Sequence, residues 1–266
     1  MLIVQAGVVA APRATDPNTP VARLIRRFRG RGWAIVPVAS IVGVIFLIRY
    51  TPSSASWLTY LALVAVPILA ALALGWAARG ARPYLAVLAA GLFVLAWRAP
   101  GTLPGQAAAT LLAALSCVTL GVLLAAVTPS SWLKAGIVAM SCADVWLVAS
   151  DLLQTPNGQL VAAAPGAGLP QLQSETFGSV NLGYGDLFVA GLLGAVYAGR
   201  PRVQLTAAAL TLAIAAVFDL LFLVVDELPA TVPVALALLV VEVGLRRGRG
   251  EERYRRLGRA ARQRAT

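Results

Sequence analysis

The sequence predicts an all-α protein, a polytopic transmembrane helical bundle of about eight spans with both termini cytoplasmic. Three observations lead there. Of the 266 residues, 59% are hydrophobic and only 12% are charged, about half the charge of a soluble domain, which leaves too little to cover a water-facing surface. The apolar residues form continuous runs of Ala, Leu and Val without the alternation of a barrel strand, and helices and closed barrels are the structures that satisfy a backbone in lipid. The basic residues gather at the ends of those runs.

Residues 1–20 begin mildly apolar, lack the basic region of a signal peptide, and carry Pro12, Pro17 and Pro20. With the arginines that follow, residues 1–32 are expected to be a disordered basic cytoplasmic tail. Eight apolar runs then approach the ~20 residues of a span: 33–48, 57–78, 83–97, 107–127, 132–153, 183–199, 203–225 and 228–245. They make one transmembrane domain, 33–245. Short polar connectors separate several of them: Arg79 to Arg82, Arg200 to Arg202, and Asp226 with Glu227. Residues 246–266 are an Arg-rich cytoplasmic tail suited to anionic headgroups. With the amino terminus inside, 20 of the 22 basic residues fall on the cytoplasmic side, and only Arg49 and Arg98 fall outside. That is the positive-inside pattern, and it favours an even number of spans.

Composition also removes chemistries. The chain has no histidine and two cysteines, Cys117 and Cys142. His-based triads, His metal sites and thiolate zinc sites are therefore excluded. No metal or organic cofactor is implied. The surplus of arginine reads as topology rather than as a nucleic-acid footprint, because it is distributed at span ends.

Five acids lie within or at the ends of spans: Asp144, Asp151, Asp186, Asp219 and Glu242. An ionisable group in lipid is costly and marks function by default. Asp144 lies about 18 Å from the cytoplasmic end of its helix, and Asp186 about 20 Å from the same end of the next, antiparallel helix. The two carboxylates therefore can face each other at one level. Asp151 falls near the outer interface and is assigned a structural role. Glu242 is within a turn of Arg246 and is expected to pair or snorkel there, and Asp219 caps a watery path or faces Asp226 and Glu227. Facing carboxylates share a proton. The ionised one takes a proton from water, while the protonated one donates to a carbonyl under attack, which hydrolyses a peptide without metal, histidine or a side-chain nucleophile. The same acids would also suit a proton- or ion-coupled transporter.

Around the second acid the sequence is Gly183-Tyr184-Gly185-Asp186, and around the first it is Ala143-Asp144-Val145-Trp146. Before the last run stands Pro229-Ala230-Thr231. These residues resemble the GxGD motif, the aspartate-bearing preceding helix and the Pro-Ala-Leu motif of the signal peptide peptidase and presenilin family of intramembrane aspartyl proteases. Ala143 stands where that family has tyrosine, and Thr231 where it has leucine. The resemblance covers roughly residues 132–245, and its orientation is that of the signal peptide peptidase branch. It implies Asp144 and Asp186 as catalytic residues. It implies Gly183, Tyr184, Gly185, Pro229, Ala230 and Thr231 as substrate-binding or site-shaping residues. The implied substrate is a transmembrane segment of a peptide or protein in the lipid bilayer, with the 154–182 loop helping to admit it. Prepilin peptidases also use GxGD, but there a lysine follows the acid, where this chain has Leu187. The Arg-dominated composition points to a bacterial or archaeal plasma membrane.

Overall fold

A computed structural model describes residues 2–15, 27–51, 53–150, 152, 158–160, 162–163, 165–166, 168–177, 180–223 and 229–247. Among the described residues, the regular structure is helical apart from one short hairpin. In order, α1 is Leu2–Ala10, α2 Val36–Tyr50 after a 3-10 turn Arg31–Ile35, and α3 Ser54–Leu72 with a π-helical end Ala73–Ala77. Then come α4, Val87–Arg98, led by a 3-10 turn Pro83–Ala86; α5, Leu103–Val127; and α6, Ser130–Ala149. Strands β1, Ser174–Phe177, and β2, Val180–Gly183, pair antiparallel with Ser174 opposite Gly183. The strand β2 runs directly into α7, Tyr184–Tyr197, followed by α8, Pro201–Asp219, and α9, residues 232–247.

Each of the eight apolar runs overlaps one of the helices α2 to α9. Among the described residues, four stretches are long and apolar enough to cross a membrane by length and composition: Ser54–Ala77, Leu103–Val127, Ser130–Ala149 and Pro201–Asp219. A fifth is bent by 44° between Arg31–Ser40 and Val42–Tyr50, and the apolar helices Pro83–Arg98 and Tyr184–Tyr197 are shorter. Trp57, Leu61, Val64, Ile68 and Leu72 form an exposed stripe along α3 at helical spacing. A contiguous apolar face of this kind fits lipid rather than water.

Helix α5 is the centre. It begins at Thr102, whose side chain accepts from the Gly105 amide, with proline in its first turn, the usual chemistry of a helix start. It packs on α7, α3, α4 and α1. Glycines set the α5–α7 approach: a Cβ on Gly191 would lie 2.4 Å from the Cys117 carbonyl oxygen, and one on Gly121 the same distance from that of Gly191. Backbone-to-backbone contact at small residues is how helices associate tightly in lipid. Cys117 is buried in that seam, whereas Cys142 is exposed on α6.

The tail expected at residues 1–20 is corrected by α1. Gln5, Val8 and Val9 form its buried face at the i, i+3, i+4 spacing of a helix, packed against α8, α7 and α5. Nine residues rise about 13 Å, too little to register as a span, so tertiary packing rather than length makes this segment helical. Pro12 ends it and bridges Ala78, with the Arg13 amide bonding to the Ala77 carbonyl and the Arg79 amide to that of Ala11. The Gln204 side-chain amide donates to the Val9 and Pro12 carbonyls, and Arg79 donates to Gln204.

The long connector is also partly built. Its β1–β2 hairpin departs from a purely helical fold. Buried Leu172 joins Val66, Ala70, Ala89 and Leu112 in a small core, and the Thr59 hydroxyl donates to the Ala163 carbonyl. Asp151, Asp226, Glu227 and residues 248–266 lie outside the described residues.

Candidate functional site

Helices α6, α7 and α9 meet in the main core, where Leu133, Ile137 and Met140 of the first pack with Leu187 and Leu192 of the second and Val234, Leu238 and Val241 of the third. Two polar layers cross this apolar seam. Both join the same three helices.

The first layer holds Asp144. Its carboxylate oxygen Oδ2 accepts from the Thr231 hydroxyl at 2.6 Å and from the Thr231 amide at 3.4 Å. Thr231 immediately precedes α9. A threonine in that place usually accepts from the first helix amides, whereas this one donates across the seam to α6. The Ser141 hydroxyl, one turn before Asp144, donates to the Thr231 carbonyl at 3.0 Å. From the other side, the Gln5 amide of α1 donates to the Ala230 carbonyl at 3.0 Å. Thr231 is fully buried and Asp144 is 9% exposed. The turn Ala230–Thr231 is thus held by three side chains from two helices. Pro229 opens it: its carbonyl accepts from the Val232 amide.

Asp186 enters this layer from α7. It is the third residue of the helix, and its Oδ2 accepts from the Gly183 amide at 3.1 Å, as an acid in the first turn commonly does. Asp144 is near enough for its charge to act on Asp186. The two acids placed at comparable depth by sequence stand on helices that pack against each other.

The two glycines of this segment sit in different settings. Gly183 has φ −71° and ψ 144°, an extended conformation open to any residue, so it is not needed for an unusual turn. A Cβ there would lie 3.2 Å from Asp186 Oδ2, so glycine leaves room for the carboxylate. Gly185 lies inside the first turn of α7. The Tyr184 hydroxyl meets the Ser116 hydroxyl of α5 at 2.7 Å, while Ser116 donates to the Ala113 carbonyl. With the serine proton used there, tyrosine is the donor, and it ties the start of α7 to the central helix.

The second layer lies ten or eleven residues away on each helix, about 15–17 Å of rise. The Lys134 ammonium of α6 contacts Glu242 of α9 at 2.6 Å, and the Tyr197 hydroxyl of α7 donates to the same carboxylate at 2.7 Å. The ammonium also lies 5.5 Å from the Tyr197 ring centre. Glu242 thus finds Lys134 on another helix as its partner, where sequence proximity pointed to Arg246. Asp219 ends α8 and is exposed.

Sequence reasoning missed Ser141, Gln5 and Lys134 as members of these layers. Ser141 carried a usable signal, since position i−3 shares a helix face with Asp144. Gln5 carried a fainter one, as the only amide in an apolar stretch. Among the described residues no cluster of three or more His, Cys, Asp or Glu side chains is placed to hold a metal. The chain matches no family model, no curated protein and no solved structure.

Proposed function

We propose that the protein is an intramembrane aspartyl endopeptidase, with Asp144 and Asp186 sharing a proton and activating water against a peptide bond of a transmembrane segment. The observation that carries this reading is the buried Asp144, held by two hydrogen bonds from the Thr231 turn, on a helix packed against the one whose first turn carries Asp186. The resemblance of residues 132–245 to the signal peptide peptidase and presenilin family supports it from sequence. So does the hairpin that leads into Asp186. Its strands pair with each other, and an unwound substrate segment adds as a further strand at an edge. Strand pairing satisfies the substrate backbone in a medium without water.

In this reading the chain is a plasma-membrane protein of bacterial or archaeal type with eight spans and a cytoplasmic carboxyl terminus, and α1 enters the bundle from the cytoplasmic side so that Gln5 reaches the Thr231 turn. The roles of the acids exchange during turnover: one takes a proton from the attacking water while the other donates its proton to the carbonyl oxygen, and on collapse of the gem-diol the first passes its proton to the leaving amine while the second takes one back from a gem-diol hydroxyl. No cofactor takes part in these steps.

The test is cleavage of a transmembrane reporter by purified protein in liposomes. Asp144→Asn and Asp186→Asn are each expected to abolish cleavage while leaving thermal stability and elution volume near the parent's. The parent's rate is expected to be bell-shaped in pH, as for a proton-sharing pair. Cleavage that survives either substitution overturns the reading. Proton-coupled solute uptake lost in the same two variants would establish transport in its place.

A further inference from the structure

We propose that α1 is a positioning element of the candidate site, with Gln5 setting the Ala230–Thr231 turn that grips Asp144. Gln5 is 3% exposed and lies in an otherwise apolar helix. Burying an amide in such surroundings is costly unless it is bonded, and this amide is aimed at one group, the Ala230 carbonyl, 3.0 Å away. The next residue, Thr231, presents both its amide and its hydroxyl to Asp144. A shift of the Ala230 peptide therefore moves the two donors of the carboxylate together.

The helix is seated as a fixed part rather than a displaceable plug. At its far end, Gln204 holds the Val9 and Pro12 carbonyls, and the backbone of residues 11–13 pairs with that of Ala77 and Arg79. Gly194 of α7 receives it at contact distance: a Cβ there would stand 2.3 Å from the Val9 carbonyl oxygen and 2.8 Å from the Pro12 ring. Thus α1 rests on the same helix that carries Asp186 and reaches over to the turn that holds Asp144. It joins the two halves of the pair without contributing to the chemistry.

The inference rests on the peptidase reading for its kinetic test, but not for its physical one. Gln5→Met keeps the length and packing of the side chain and removes the donor. For the kinetic test, kcat on the reporter is expected to fall about three- to tenfold, the effect of one lost neutral hydrogen bond, with KM little changed and the pH profile displaced. For the physical test, a thermal-unfolding cycle of Gln5→Met with Thr231→Val in the full chain is expected to be non-additive, because the two side chains act on one turn. Additive unfolding effects overturn the proposal. A coupled cycle with the parent's kcat and pH profile also overturns it, since α1 would then serve the fold and not the site. If the parent itself cleaves nothing, the peptidase reading falls, and the cycle alone decides whether α1 positions the turn.

Discussion

Thr231 shows how one atom can link an element boundary to chemistry. Its hydroxyl makes the shorter of the two bonds to Asp144, 2.6 Å against 3.4 Å for the amide. A hydrogen bond to a charged group contributes about 1.5–3 kcal/mol. Thr231→Ala is therefore expected to slow reporter cleavage about ten- to a hundredfold, with Thr231→Ser retaining most of the rate. Equal loss in both variants would mean that the threonine methyl, and not the hydroxyl, matters. The family's leucine at this position has no hydroxyl, so here the carboxylate is held by a group that the resemblance does not supply. Gly183 makes a complementary point. Two glycines before an acid suggest backbone freedom, yet this one is extended and its value is the space beside Asp186.

At the scale of helices, packing is controlled by where side chains are missing. The contacts at Gly121 and Gly191 are to backbone atoms, which cannot swing away as a side-chain tip can. Gly191→Ala must separate α5 from α7 and is expected to cost about 1–3 kcal/mol, like other overpacked cores, seen as a lower unfolding temperature in detergent. Gly91 on α4 has open space around it. Gly91→Ala is expected to leave stability unchanged or raise it by up to about 1 kcal/mol through helix propensity. If the two variants behave alike, the seam is not close-packed as described. The Lys134–Glu242–Tyr197 layer acts on the same helices from the other end. Two polar layers, about 15–17 Å apart, fix α6, α7 and α9 in register, which apolar packing alone specifies less well.

For the whole molecule, sidedness is open to direct measurement. Arg13, Arg79 and the connector before α8 gather at one end, because α1 lies between α7 and α8 with its last residues against Ala77 and Ala78. The proposed topology places this end inside the cell. In a background without Cys117 and Cys142, Gly158→Cys is expected to react with an impermeant thiol reagent in intact cells, and Gly199→Cys only after lysis. Both glycines have open surroundings. Labelling in the opposite order, or of both positions in intact cells, would reject this sidedness.

What was legible in advance differs between fold and site. The positions of α2 to α9 followed from hydropathy, because each run is long enough for its composition to override local detail. Helix α1 was not legible, since nine residues have too little apolar length to announce a helix and form one through contacts with three others. The hairpin before Asp186 was hidden for a similar reason: its pairing depends on partners rather than on a continuous apolar run.

For the site, sequence alone determined that Asp144 and Asp186 sit at comparable depth on successive antiparallel helices, because helical rise is a constant of the backbone. It also determined the separation of basic from apolar segments, since charge must lie where water is. Only the tertiary structure decided which groups surround the acids. Hydrogen bonds from Thr231, Ser141 and Gln5 join residues far apart along the chain, and their geometry depends on how helices rotate about their own axes. That rotation is set by the glycine seams and the buried polar layers acting together, and no local pattern records it.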